Sequence, residues 1–376
     1  MSPPEGLHVR LSQEAPIPLE AELSCAAGEI LALVGPSGGG KSTVLRSVAG
    51  SYRPAVGRVE VEGETWFDSE AGISLPAHRR RVGMVFQSYA LFPHMTALGN
   101  VMAAMGHMPA PERDERGRAL LELVHLAGLE ERRPAELSGG QQQRVAVARA
   151  LARQPRVLLL DEPFSAVDKA TRQRLTREIA DLRRVLSMPV VLVTHDLDEA
   201  RMLADRMTVL HRGRTLQTGT PEEVTTRPVS AEVARLVELR NLFEGRVAGH
   251  DPAAGRTMLA WAGLTIEAAP RPELAIGESV SWVLPDGYVV LHRRDRPSRG
   301  EHENPVKGTV EAALAIGQTA HIALRPLSDP SLPIHFSVPL HVAQRNGLAP
   351  GVEAAVSLLA EGIHLMPPAG RRDERG

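Results

Sequence analysis

Residues 35–42 read Gly35-Pro36-Ser37-Gly38-Gly39-Gly40-Lys41-Ser42, which matches the pattern G-x-x-x-x-G-K-[ST]. Its chemistry is phosphate binding. Glycines let backbone N–H groups turn toward phosphate oxygens. The helix that the loop opens adds a partial positive charge. Lys41 can reach the outer phosphates, and the Ser42 hydroxyl can ligate Mg²⁺. A second candidate is the pair Asp161-Glu162, which ends the apolar run 157–160. Successive strand side chains point to opposite sides. Asp161 is therefore expected to face the metal. Glu162 should face a water aimed at the γ-phosphate, which it would orient. A third candidate is Leu137-Ser138-Gly139-Gly140-Gln141-Gln142-Gln143-Arg144, which precedes an apolar helix. Ser138 and two glycines at a helix start form another anion site by the same physics. One nucleotide rarely needs two such loops, so the economical reading gives the second to the nucleotide of a neighbouring subunit.

These residues need a scaffold that presents loops at strand ends. Residues 29–34, 156–160 and 189–193 are continuously apolar, as strands covered on both faces are. Residues 111–129 carry apolar side chains at helical spacing, which predicts a helical insertion at about 88–155. The expected fold is α/β, a P-loop nucleotide-binding domain over residues 1–240. From residue 241 to 370, short β-like runs separated by Gly and Pro predict a second, small all-β domain. A faint repeat runs through it, with Gly245, Gly277, Gly287 and Leu291 echoed by Gly308, Gly351, Gly362 and Leu365. The charged stretch 293–304 reads as an exposed loop and residues 371–376 as a disordered tail.

Composition narrows the function classes. The chain has 376 residues with 43 basic and 45 acidic side chains, a net charge of −2, which gives no support to a nucleic-acid binder. Its single cysteine, Cys25, excludes an internal disulfide. No apolar run approaches the roughly 20 residues of a spanning helix. The N-terminus has no secretory pattern, so a protein that is soluble and cytoplasmic, or peripheral to a membrane through a partner, is expected.

The octet 137–144 resembles the signature of the ATP-binding subunits of ABC transporters, which closes over ATP held by the opposite protomer. Other positions match that family in order. Gln87 resembles the Q-loop glutamine that touches Mg²⁺ and water, Asp168 the D-loop aspartate and His195 the switch histidine. Alone, His195 would read as an ordinary surface or core histidine. The resemblance implies an ATPase with Glu162, His195 and Gln87 as catalytic residues. The nucleotide would lie on residues 35–43, from Gly35 to Thr43, and on Ser138, Gly139, Gly140, Gln141 and Asp168. Mg²⁺ would lie at Ser42, Gln87 and Asp161. It also implies a homodimer and membrane permease subunits that contact the stretch from Tyr89 to Thr96, where Tyr89 and Phe92 suit interface anchors unless one of them packs in the core. A separate solute-binding protein completes the implied system. The β-rich addition resembles the OB-like (TOBE) extension of importer ATPases.

Two further features belong to this resemblance. The family stacks adenine on an aromatic residue of the N-terminal strand, but residues 8–22 contain none, which leaves His8 or Arg10 as substitutes, or apolar side chains alone to hold the base. Trp66 to Asp68 and the run 75–83, with His78-Arg79-Arg80-Arg81, resemble the molybdate-importer subgroup. An inorganic oxyanion such as molybdate is thus the expected solute, with iron, sulfate or polyamine as alternatives. A soluble ABC ATPase acting in regulation without a permease is the competing class. A P-loop kinase or GTPase would leave residues 137–144 unexplained.

Overall fold

The computed structural model describes residues 6–106, 108–165, 186–292 and 303–366, together with Arg172, Thr176, Ala180 and Asp181. Asp168, the tail 371–376 and residues 293–302 lie outside the described residues. The chain divides into two compact units, Met1–Pro221 and Glu222–Gly376.

The first unit is built on an eleven-stranded sheet. Its strands are β1 (Leu7–Gln13), β2 (Leu19–Cys25), β3 (Ile30–Val34), β4 (Val56–Val61), β5 (Glu64–Asp68) and β6 (Ile73–Ser74), followed by β7 (Val82–Val85), β8 (Val157–Asp161), β9 (Val190–Thr194), β10 (Arg206–His211) and β11 (Arg214–Gly219). Their order across the sheet is β6-β5-β4-β1-β2-β11-β10-β3-β9-β8-β7. From β10 to β7 every pairing is parallel, and β6 through β2 form an antiparallel flank. That flank is the main element the sequence reading did not delineate. β1 and β2 alternate buried and exposed residues, and β4 to β6 are buried only in part, a weaker signal than a continuous apolar run.

The continuously apolar strands serve two cores. Ile30, Leu158, Leu160, Val190 and Leu192 pack with the helical insertion. Leu31, Leu33, Val157, Leu159, Val191 and Val193 pack on the opposite side with Val44, Leu45 and Val48 of α1 (Lys41–Ala49). Period-2 side-chain alternation divides one run between two hydrophobic layers. The insertion holds α2 (Ala97–Met102), α3 (Ala110–Leu123) and α4 (Gly139–Leu151). The helix expected to reach residue 129 stops at Leu123. His125 and Gly128 adopt left-handed backbone there, with φ of 56° and 84°, which an α-helix cannot continue through.

The second unit contains two five-stranded antiparallel sheets among the described residues. The strands are β12 (Leu242–Asp251), β13 (Arg256–Trp261), β14 (Leu264–Ala268), β15 (Ser279–Val283), β16 (Val289–Leu291), β17 (Glu303–Ile316), β18 (Thr319–Pro326), β19 (Ile334–Pro339), β20 (Glu353–Leu359) and β21 (His364–Met366). The sheet orders are β14-β13-β12-β15-β21 and β16-β20-β17-β18-β19. The two half-repeats therefore exchange strands: β16 of the first joins the second sheet, and β21 of the second joins the first. One core spans both sheets, around Phe243, Trp261 and Trp282, whose ring centroids lie 4.7–5.1 Å apart. Helix Ala231–Leu236 also belongs to this unit, with Ala234 packed against Val283 and Met366.

Candidate nucleotide site

Four loops leave the carboxyl ends of neighbouring parallel strands. Gly35 follows β3, Gln87 lies just beyond β7, Asp161 ends β8 with Glu162 next, and His195 follows β9. The crevice beyond such strand ends is where open α/β sheets hold ligands.

The Gly-rich loop is shaped by its backbone. Gly35 has a φ of 146°, and a Cβ there would stand 2.0 Å from the Leu210 carbonyl oxygen, so only glycine fits. Gly40 has a φ of 100° and caps α1 from the left-handed region. Lys41 is 5% exposed, and its ammonium donates to the carbonyls of Gly35 (2.7 Å) and Pro36 (2.9 Å). Burial lowers its pKa below the ordinary lysine value, against the opposing charges of Glu162 and Asp161. Ser42 Oγ donates to Asp161 Oδ1 at 3.1 Å. Burial raises the Asp161 pKa, and the Ser42 hydrogen bond partly offsets this.

Glu162 collects the remaining expected residues. Gln87 Nε2 donates to Glu162 Oε2 at 3.3 Å, and His195 Nδ1 lies 3.4 Å from the same oxygen. The two carboxylates do take different partners, but strand alternation is not the whole cause. β8 ends at Asp161, and Glu162 has left-handed backbone with a φ of 46°. Its N–H still bonds the Val193 carbonyl at 3.0 Å, so the turn is anchored to β9.

Ser138, Gly139, Gly140 and Gln141 open α4 some distance along the chain from this cluster. Ser138 Oγ accepts from the Gln141 N–H at 3.3 Å, and Gln141 Oε1 accepts from the Ser138 N–H at 2.8 Å. This reciprocal cap holds the loop as a helix start. Asp168 lies outside the described residues.

Three expectations change. Tyr89 is 5% exposed and packed in the helical core, so it is not a surface anchor, whereas Phe92 is 43% exposed. Phe86, which the sequence reading passed over, is equally exposed. His8 and Arg10 do not border the Gly-rich loop. The residue of the flank that packs there is Leu19, paired with Gln13, while His8 pairs with Ser24 and Arg10 is bound to Glu22 at 2.7 Å. Finally, Arg80 is a buried brace. Its guanidinium donates to the carbonyls of Ser47 and Val48 (both 2.7 Å), Leu75 (2.8 Å) and Trp66 (3.3 Å). It thus caps the far end of α1, and burial lowers its pKa to about 10. Trp66 and Arg80 explain their motifs by packing, without reference to any solute.

Comparison with known proteins bears on the family and the fold. Residues 20–165 match the family model described as ABC transporter. The spermidine/putrescine import ATP-binding protein PotA of Oleidesulfovibrio alaskensis is 39% identical over 317 residues, covering 82% of this chain and 81% of that protein. The sulfate/thiosulfate import ATP-binding protein CysA 2 of Chromobacterium violaceum is 37% identical over 354 residues, covering 93% and 90%. The Fe(3+) ions import ATP-binding protein FbpC of Streptomyces coelicolor is 38% identical over 352 residues, covering 93% of each. The chain belongs to the ABC transporter family. As a member of that family's ATP-binding subunits, it hydrolyses ATP. The solved structure of cbiO1 from Clostridium perfringens, part of the ABC transporter complex cbiONQ, superposes with a TM-score of 0.53. It is 28% identical and covers 62% of this chain and 94% of that one.

Proposed function

We propose that this chain is the ATPase that powers import of a small solute through a membrane permease. The carrying observation is the convergence of Gln87 and His195 on one oxygen of Glu162, beside Lys41, Ser42 and Asp161. Glu162 would hold the attacking water through its carboxylate. Gln87 and His195 would fix that carboxylate and contact the γ-phosphate side of the water. Residues 35–43 would hold the phosphates through backbone N–H groups, with Lys41 exchanging its carbonyl partners for phosphate oxygens. Ser42, Asp161 and Gln87 offer only oxygen atoms to a cation, which suits Mg²⁺. When bound, that ion would neutralise charge on the phosphates.

The exposed start of α4 supports a homodimer in which Ser138, Gly139, Gly140 and Gln141, with Asp168, complete the site of the partner protomer. Exposed Phe92 and Phe86, next to Gln87, support a permease contact within the stretch from Tyr89 to Thr96. No helix among the described residues is long and apolar enough to cross a membrane. A peripheral position at the cytoplasmic face, in a system with a solute-binding protein, fits that reading. For the solute we favour an inorganic oxyanion, with the full-length likeness to a sulfate/thiosulfate importer as support. Iron and polyamines are the alternatives. Trp66 and Arg80, being brace residues, lend molybdate no weight.

Glu162→Gln is expected to cut hydrolysis by roughly 10²–10⁴-fold while ATP still binds and holds two chains together. Steady-state turnover and size-exclusion chromatography with ATP check this. Ordinary turnover in that variant would falsify the role given to Glu162.

A further inference from the structure

The turn between Gln87 and Phe92 is built from an unusual backbone. Tyr89 and Ala90 are consecutive non-glycine residues in the left-handed region, with φ of 59° and 47°. Each such residue costs of order 1 kcal/mol and persists only where its surroundings hold it. The holding group comes from α4. The Arg149 guanidinium donates one bond to the Ala90 carbonyl (2.7 Å) and one to the Tyr89 carbonyl (2.8 Å). The same group lies 5.7 Å from the centroid of the Phe92 ring, within cation–π range. Asn100 of α2, fully buried, secures the far side of the turn. It accepts from the Phe92 N–H at 2.8 Å and donates to the Phe92 carbonyl at 3.1 Å. Burial lowers the Arg149 pKa, and two carbonyl dipoles and a ring face surround its charge.

We infer that Arg149 is a positioning residue for hydrolysis. It holds the 89–90 turn in its left-handed form and so fixes where Gln87, two residues earlier, meets Glu162. It also ties that turn to the helix that starts at Ser138 and to the exposed Phe92 ring. A displacement of Phe92 by a docked partner would then be felt at Gln87 and at α4 through one guanidinium. The inference rests on the catalytic reading of Gln87 given above. Arginine suits the task because its planar fork spans two carbonyls at once, which a lysine ammonium does not reproduce.

The test uses the full chain and follows kcat and KM for ATP. Arg149→Ala is expected to lower kcat at least about tenfold with KM changed less than about twofold. Loss of folded protein alone would mimic this, so the decisive arm is a double variant. Ala90→Gly relieves one of the two left-handed residues of the turn, leaving only the cost at Tyr89. Added to Arg149→Ala, it is expected to restore kcat at least about threefold. A purely structural role for Arg149 in α4 gives no such rescue. If Arg149→Ala does not fold, Arg149→Lys with and without Ala90→Gly is read in the same way. Unchanged kcat in the single variant, or no recovery in the double variant, overturns the inference. Gln87→Ala separates the two readings. A kcat loss there without one in Arg149→Ala refutes only the role of Arg149. Parental kcat in Gln87→Ala refutes the catalytic reading of Gln87 on which the inference rests.

Discussion

The molecule has two Gly-rich helix starts, and they are finished to different degrees. The loop before α1 is sealed into the fold: Gly35 is pressed against Leu210, the Gly213 N–H bonds the Gly39 carbonyl at 2.9 Å, and Lys41 is buried. The start of α4 is closed by the reciprocal Ser138–Gln141 cap and by Gln142, whose Nε2 donates to the Pro134 and Leu137 carbonyls, with Ser138 exposed. Both offer backbone N–H groups to an anion. Beside the first lie Asp161, bonded to Ser42, and Glu162, which Gln87 and His195 approach, all from one chain. The second has a helix end and no catalytic side chain bonded to it. A second protomer's nucleotide would supply what it lacks.

The largest expected contrast comes from the ammonium. Lys41→Ala should weaken ATP binding by about 100-fold, because a charge-assisted contact at a buried site is worth a few kcal/mol. Titration with a fluorescent ATP analogue reads this out, and an unchanged affinity would undo the assignment of the first loop. Ser138→Arg should behave differently. Affinity of the isolated chain for ATP should stay within about twofold, while hydrolysis falls about tenfold, since a misplaced cation bars closure on a partner. Equal damage to affinity would mean that the two loops are not distinct in this way. The smallest effect is on stability. Ser138→Ala removes the cap acceptor and should cost about 1 kcal/mol by denaturant unfolding.

The parallel half of the sheet was legible because β3, β8 and β9 are buried on both faces and cannot tolerate polar residues. The expected runs 29–34, 156–160 and 189–193 lie within a residue of Ile30–Val34, Val157–Asp161 and Val190–Thr194. The Gly-rich loop was legible for a similar reason, since the close approach of Gly35 to the Leu210 carbonyl leaves glycine little alternative. The antiparallel flank was not read, because half of each strand faces solvent and its composition is unremarkable. Arg149 was missed because one arginine in a helix looks like any solvated charge. Its role appears only when the fold brings it to Ala90, far away in sequence. Which of Tyr89 and Phe92 packs in the core was not legible, because proximity to a loop says nothing of which side chain turns inward. The repeat in the second unit was visible as spaced glycines, but the exchange of β16 and β21 was not, because register across a sheet is a non-local property.

That exchange bears on synthesis. β21 pairs with β15 through Ser281↔Met366 and Trp282↔Leu365, and so closes the edge of a sheet begun at Leu242. A ribosome releases residues in order, and domains tend to fold as they emerge. The first unit can assemble once β11 is out. The first sheet of the second unit must wait, with the strand bearing Trp282 unpaired along one edge, until residue 366 has emerged. A message cut a few codons before that point would still encode Lys41, Glu162 and His195, yet would leave that edge open for pairing with another chain.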